Sequence, residues 1–417
     1  MHNRLITSIT TQRFSAVLLC LVFLALFAPF SVSALDWGLF TDHTVSLEGV
    51  NGELDPIRYQ ALVMPWLSSP LGANTDLYLS AAFNANLENR NWDLAPELYR
   101  SDLTFNFDNG EIRLGRMQYS DPLGLISSGL FDGISYIMDT SSIGMFSAGV
   151  WYTGLLYKKT ANITISPEDL ASYNEDLDYS HFADTYFASK RLAFALGWEH
   201  YGIKELLRLK ISLLGQADLN GRGVQFHSQY IAAKAGLPLG NYCVLDFGGA
   251  AGFAETEGIF KASLIGELDF SIFLPSQIQD RLKFSGIFSS GKSAKTSGGL
   301  HPFIPVSTVT QGDVLEAKIS GLSLFGLDYT ARLHSTLSVS AASTYFVLSD
   351  LGTYSGWPLE KKGHFLGNEF YAKLIWSPVS DLQLNLGGGV FVPAMGNADP
   401  TAGTRWKIEL NAVLAVF

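Results

Sequence analysis

Runs of alternating polarity recur along the whole chain, and the connections between them come in two lengths that do not mix. Residues 76 to 87, DLYLSAAFNANL, place Leu77, Leu79, Ala81, Phe83 and Ala85 on one face and Asp76, Tyr78, Ser80, Asn84 and Asn86 on the other. Alternation of this length marks a strand with one apolar and one polar side. Residues 99 to 108 repeat the pattern, and Asn109-Gly110 then supplies a two-residue hairpin turn, because both positions tolerate positive φ. About eighteen such runs (16–18) are predicted, at 36–49, 56–67, 75–87, 98–108, 111–119, 132–139, 145–157, 184–201, 205–217, 224–235, 242–256, 259–273, 281–290, 322–333, 336–349, 368–377, 381–393 and 405–417. From the second onward, even-numbered gaps are mostly brief, as at 140–144, 202–204, 334–335 and 378–380. Odd-numbered gaps include every long one: 88–97, 120–131, 158–183, 291–321, 350–367 and 394–404. A soluble sandwich has no reason to sort its loops by length, whereas a transmembrane barrel has short turns at one end and long loops at the other. Counting back from a periplasmic C-terminus puts every long loop outside the cell.

Bilayer physics agrees with that reading. Every backbone amide in lipid must be paired, so a β-protein there has to close on itself. With 47% apolar and 13% aromatic residues, the chain is rich in the side chains that face lipid, and its 40 glycines suit strands and turns better than helix bundles. Trp66, Trp198, Tyr201 and Trp376 fall near predicted periplasmic strand ends, and Trp151, Tyr157 and Trp406 nearer the other ends, as two aromatic girdles would require. The expected fold is all-β, a single antiparallel transmembrane β-barrel over 35–417.

The first 34 residues carry Arg4 and Arg13, no acidic residue, an apolar block at 14–30 and the small-residue exit SVSA. That describes a signal peptide at 1–34, cut after Ala34. Removing it takes two basic residues from 28 and none of the 39 acidic ones, leaving 26 − 39 = −13. A chain so acidic has no general affinity for nucleic acid. The mature chain keeps one cysteine, Cys243, so no internal disulfide can form.

The leader, the alternating strands, the loop asymmetry and the last strand RWKIELNAVLAVF together resemble Gram-negative outer-membrane β-barrel proteins. Within that class the size is similar to porins and alginate-export-type barrels, and IRLGRMQYSDPLGLISSGLFDGISY (112–136) is similar in style to the latter. The resemblance implies outer-membrane lipid and lipopolysaccharide as surroundings, assembly machinery that recognises the C-terminal strand, and a homotrimer as a candidate assembly. One departure concerns Phe417. Trp406, Ile408, Leu410, Ala412, Leu414 and Val416 share the opposite parity, so the terminal aromatic needs a bulge to face lipid.

On a barrel, parity names the lumen side. Basic positions there form a track of Arg113, Arg191, Arg208, Lys210, Lys261, Arg281, Lys283 and Arg332. Acidic positions there include Glu199, Asp246, Glu267, Asp269 and Asp328. Facing rows of opposite charge across water orient polar solutes and select ions. The same residues have a plainer reading, as hydrated or cross-strand-paired charges. The loop at 291–321 is a candidate constriction.

GIFSSGKS, at 286–293, matches the phosphate-loop pattern G-x-x-x-x-G-K-[ST] letter for letter. That motif needs a helix after it, and the following AKTSGGLHPFIP cannot form one. The acidic loop at 158–183 matches no calcium-loop spacing, and the histidines are scattered, so no enzyme, metal or cofactor is expected. The expected role is a porin-type channel passing small hydrophilic solutes. The alternatives are a dedicated polysaccharide or organic-anion conduit, and a plugged barrel serving as surface adhesin or structural protein.

Overall fold

The computed structural model describes residues 35–416, apart from 89–90, 141, 204–205, 222–224, 257, 294–298, 308, 355 and 359–361. The expected signal peptide at 1–34, Lys295 and Phe417 lie outside the described residues.

Eighteen long strands make up the wall: β1 (Asp36–Val50), β2 (Arg58–Gly72), β3 (Thr75–Glu88), β4 (Asn91–Phe107), β5 (Gly110–Ser120), β6 (Ser128–Thr140), β7 (Gly144–Tyr152), β8 (Arg191–Ile203), β9 (Leu207–Asp218), β10 (Phe226–Leu239), β11 (Cys243–Thr256), β12 (Ile259–Phe273), β13 (Arg281–Ser289), β14 (Leu322–His334), β15 (Leu337–Leu348), β16 (Phe365–Val379), β17 (Leu382–Val392) and β18 (Arg405–Val416). Each pairs antiparallel with its sequence neighbours. The ring closes because β1 pairs with β2 from Asp36↔Ser68 to Ser46↔Arg58, and with β18 from Leu39↔Val416 to Val50↔Arg405. Closure leaves no free edge at the seam between first and last strands.

Period two then separates the two faces. Phe194 and Leu196 on β8, Ile231 on β10, Leu268 on β12, Phe325 on β14, Leu386 on β17 and Leu410 on β18 are all exposed on the outer wall. An apolar surface of that extent is far larger than a soluble monomer tolerates, and it matches the apolar band of a membrane barrel.

The cores lie inside the ring. One cluster joins Leu123, Leu125 and Ile126 of the β5–β6 loop to Phe303 and Val306 of the β13–β14 loop, against Trp151, Ala195, Tyr230, Ala232 and Ala250 of the wall. A second packs Val314 and Leu315 on Leu324, Phe346, Leu366 and Phe391. Trp151 and Tyr157, expected in a girdle, are thus buried, at 4% and 1% exposure. Inward loops need apolar partners, and these rings supply them.

Three of the strand boundaries that differ from the sequence expectation share one reason. β4 begins at Asn91 rather than 98, so the expected long loop 88–97 is absent; β7 stops at Tyr152, and β8 starts only at Arg191. Between the last two lies a helical segment, α1 (Lys158–Ala161), α2 (Pro167–Asn174) and α3 (Phe182–Tyr186). It replaces strand pairing on the upper part of β4. There β5 pairs only with Ser101–Phe107, leaving the carbonyls of Leu94, Pro96 and Leu98 without a ladder partner. Side chains take them instead: the Tyr179 hydroxyl donates to Leu94, the Tyr186 hydroxyl to Pro96 at 2.8 Å, and the Arg116 guanidinium to Leu98. Pro96 fits this edge because the edge asks no N–H of it.

Candidate functional site: the charged inner wall

On β8 to β13, toward the end with short turns, the inward positions form two rows. The upper row runs through register partners: Glu199↔Lys210, Lys210↔Lys234, Lys234↔Gly248 and Gly248↔Glu267. The lower row runs Arg208↔Gly236, Gly236↔Asp246 and Asp246↔Asp269. Two lysines therefore stand directly opposite each other on β9 and β10, and two aspartates stand opposite each other on β11 and β12, one pleat repeat lower. Like charges so placed repel, and each is relieved from its other side. Lys210 Nζ meets Glu199 at 2.7 Å, Lys234 Nζ meets Glu267 at 2.6 Å, Arg208 approaches Asp246 to 3.8 Å, and Lys283 Nζ meets Asp269 at 3.1 Å.

Two of those pairs reach over an intervening strand, which only glycine allows. A Cβ at Gly236 would stand 2.6 Å from Asp246 Oδ1 and 3.3 Å from Arg208 Nε. A Cβ at Gly248 would stand 2.6 Å from Leu123 Cδ2, 2.9 Å from the Ala233 carbonyl and 3.3 Å from Glu267 Oε1. The missing side chains leave β10 and β11 as windows through which the pairs form. A recess of about 410 Å³ opens on this wall, lined by Glu199, Tyr201, Arg208, Lys210, Lys234, Gly236, Asp246 and Asp269.

The other basic positions on the expected track lie elsewhere. Arg113 pairs with Glu111 at 2.7 Å. Arg281 neighbours Lys283, which stands opposite Asp328. Arg332 is exposed at the short turn and donates to the Ser335 carbonyl at 2.8 Å. Lys261 lines a separate recess of about 320 Å³ near the long loops, with Phe226, Ser228, Lys292 and His301. Arg191 is fully buried, 2.6 Å from Asp169 and 3.3 Å from Asp218, and it donates to Gln216 at 2.9 Å. It fastens α2 to the wall rather than facing solute. Lys234 belongs to the row although the sequence track omits it; its signal was the inward parity it shares with Tyr230 and Ala232.

Carboxylates set the loops that cross the lumen. Asp121 accepts from the amides of Leu123, Ile126 and Ser127, each at 2.9 Å. Burial pushes its carboxyl above the usual range, with those amides pulling the other way. Held in this way, the β5–β6 loop meets the opposite loop: Val306 N–H donates to the Ile126 carbonyl at 2.7 Å, and the Ser128 amide donates to Ser307 Oγ at 2.8 Å. The β13–β14 loop is fixed in turn by Glu369, which accepts from Asp313, Val314 and Leu315 at 2.6, 3.1 and 2.8 Å. Phe303 and Val306 of the expected constriction, 291–321, therefore pack inside the ring against 121–127. As for the phosphate-loop pattern, the Lys292 amide donates to the Asp350 carboxylate at 2.7 Å, and that same carboxylate lies against Gly291. The carboxylate occupies the position an anion would need.

Against solved structures, the chain is similar to Pseudomonas aeruginosa OccK2 (OpdF) in complex with glucuronate. The TM-score is 0.61 at 11% identity, over 92% of this chain and 97% of that one. The outer membrane protein opdK from Pseudomonas aeruginosa gives 0.57 at 11% identity over 92% and 99%. OccD3 (OpdP) from the same organism gives 0.57 at 12% identity over 92% of each. The chain shares their fold. No protein-family model matches the chain, and no curated protein matches it either.

Proposed function

We propose that this chain is an outer-membrane channel through which small hydrophilic solutes diffuse, without chemistry and without an obligatory cofactor. The observation that carries this reading is the division of one closed wall into an apolar outer face and a charged inner face. A ring of eighteen strands is wide enough to hold a water-filled passage. The loops at 121–127 and 290–321 narrow its long-loop half, while the charge rows line the other half. The neighbours support the reading: OccK2 (OpdF) was crystallised with glucuronate, a small polar acid. Lipid and lipopolysaccharide are the surroundings that fit the outer wall, and the barrel assembly machinery is the partner the last strand would engage.

Liposomes containing the refolded mature chain test the proposal through osmotic swelling. Small solutes such as glycine should enter quickly and sugars more slowly, with a sharp cut-off by size. Vesicles that swell no faster than protein-free controls, with folded barrel present, would overturn it.

A second reading, selectivity for anions, would place it in the basic residues. The row of Lys210 and Lys234 supplies the positive side of such selectivity, but each lysine there already holds a carboxylate.

A further inference from the structure

The charge rows point to a narrower class of solute than the channel reading alone, on which this inference rests. Four bases (Arg208, Lys210, Lys234, Lys283) and four acids (Glu199, Asp246, Glu267, Asp269) pair off on this wall, so the set carries no net charge. Its charges are nonetheless grouped by sign on neighbouring strands. The facing lysines 210 and 234 occupy β9 and β10, and the facing aspartates 246 and 269 occupy β11 and β12 one pleat repeat lower, so that Lys234 and Asp246 are diagonal neighbours about 7–8 Å apart. Both signs remain reachable from the lumen. The side chains of Lys210 and Lys234 are 45% and 28% exposed, and those of Asp246 and Asp269 are 32% and 25% exposed.

We infer that the recess at Lys210, Lys234, Asp246 and Asp269 is a binding site for a small zwitterion, with its carboxylate against the lysine pair and its ammonium against the aspartate pair. A plain anion at the lysines meets the Glu199 and Glu267 carboxylates beside them and the two aspartates on the next strands. A plain cation at the aspartates meets Arg208 and Lys283 in the same way. Only a solute bearing both charges, separated by roughly the Lys234–Asp246 spacing, gains at each pair without repulsion from the other. An ω-amino acid or a dipeptide has that shape, and the recess of about 410 Å³ admits either. The glycine windows are what make the segregation possible. With side chains at 236 and 248, Arg208 could not reach Asp246 over β10, nor Lys234 reach Glu267 over β11.

Three solutes of one length separate the possibilities: 6-aminohexanoate, hexanoate and hexylammonium. Ligand-observed NMR on the detergent-solubilised mature chain measures their binding whether or not the barrel conducts. 6-Aminohexanoate should bind about tenfold more tightly than either singly charged relative, the differential that specificity requires. Asp246→Asn with Asp269→Asn should move the preference to hexanoate, and Lys210→Gln with Lys234→Gln should move it to hexylammonium. Should a double variant fail to fold, Arg208→Asp with Asp246→Arg keeps the ion pair across β10 while removing one aspartate from its place. Zwitterion binding should then fall at least as far as toward that of hexanoate. Hexanoate binding the native barrel as well as 6-aminohexanoate does would overturn the inference, as would a 6-aminohexanoate signal unchanged in every variant. Failure of the channel reading has a different signature, since a non-conducting barrel can still bind these solutes.

Discussion

The Arg191 guanidinium meets the Asp169 carboxylate at 2.6 Å, and neither side chain reaches solvent. Arg191 opens β8, and Asp169 lies in the first turn of α2, where it also completes a capping box with Ser166. The pair therefore ties the long helical connection to the wall. Breaking a buried pair by removing one partner strands the other charge, at a cost of about 3–5 kcal/mol. Arg191→Ala should lower barrel stability by at least that amount and expose 153–190 to protease, while a barrel with Arg191→Met, Asp169→Leu and Asp218→Leu together should recover most of it, since Asp218 also faces the guanidinium. Thermal unfolding and limited proteolysis read both effects.

The free edge of β4 gives a second expectation. Tyr179→Phe or Tyr186→Phe leaves the carbonyl of Leu94 or Pro96 without its donor. Tyr186→Phe should cost about 1–3 kcal/mol, the desolvation penalty of an orphaned acceptor, and Tyr179→Phe less, because Leu94 and Tyr179 are exposed. Loss of heat-resistant, fast-migrating barrel on unheated gels at lower temperature is the measurement. A change at Tyr173, whose ring lies under Lys159 rather than against β4, should have little effect.

At Gly236 the expected effect is on ion pairing as well as stability. Gly236→Ala places a methyl into the gap between Arg208 and Asp246, with overpacking of about 1–3 kcal/mol. Arg208 and Asp246 then both lose their partner with the net charge unchanged, so the barrel should unfold at lower temperature while reversal potentials in a salt gradient stay where they are. Gly240→Ala, with nothing within 4 Å of its added carbon, serves as the control for stability alone once its positive φ is allowed for.

The architecture was legible because it rests on period two and on loop length, both of which are local in sequence. All eighteen strands stand near their expected positions. The boundaries at Asn91, Tyr152 and Arg191 were not legible, because they depend on side chains arriving from far along the chain. Pro96 reads as a strand breaker until Tyr186, ninety residues later, caps its carbonyl. Parity placed Arg208, Lys210, Glu199, Asp246, Glu267 and Asp269 on one wall. It could not reveal that each base already holds an acid, because register across strands sets that. Nor does parity distinguish Arg191, enclosed beneath α2, from a base that faces water. The two windows at Gly236 and Gly248 looked like any other strand glycines.

Asp121 joins the fold to the proposed passage, since its three amide contacts hold the β5–β6 loop where it meets the β13–β14 loop. The most direct measurement is single-channel conductance of the refolded mature chain in a planar bilayer, beside the Asp121→Ala variant. The account predicts discrete, steady steps for the native barrel, and larger, noisier ones once the loop is released. Silence from both proteins, with each demonstrably folded, would contradict it.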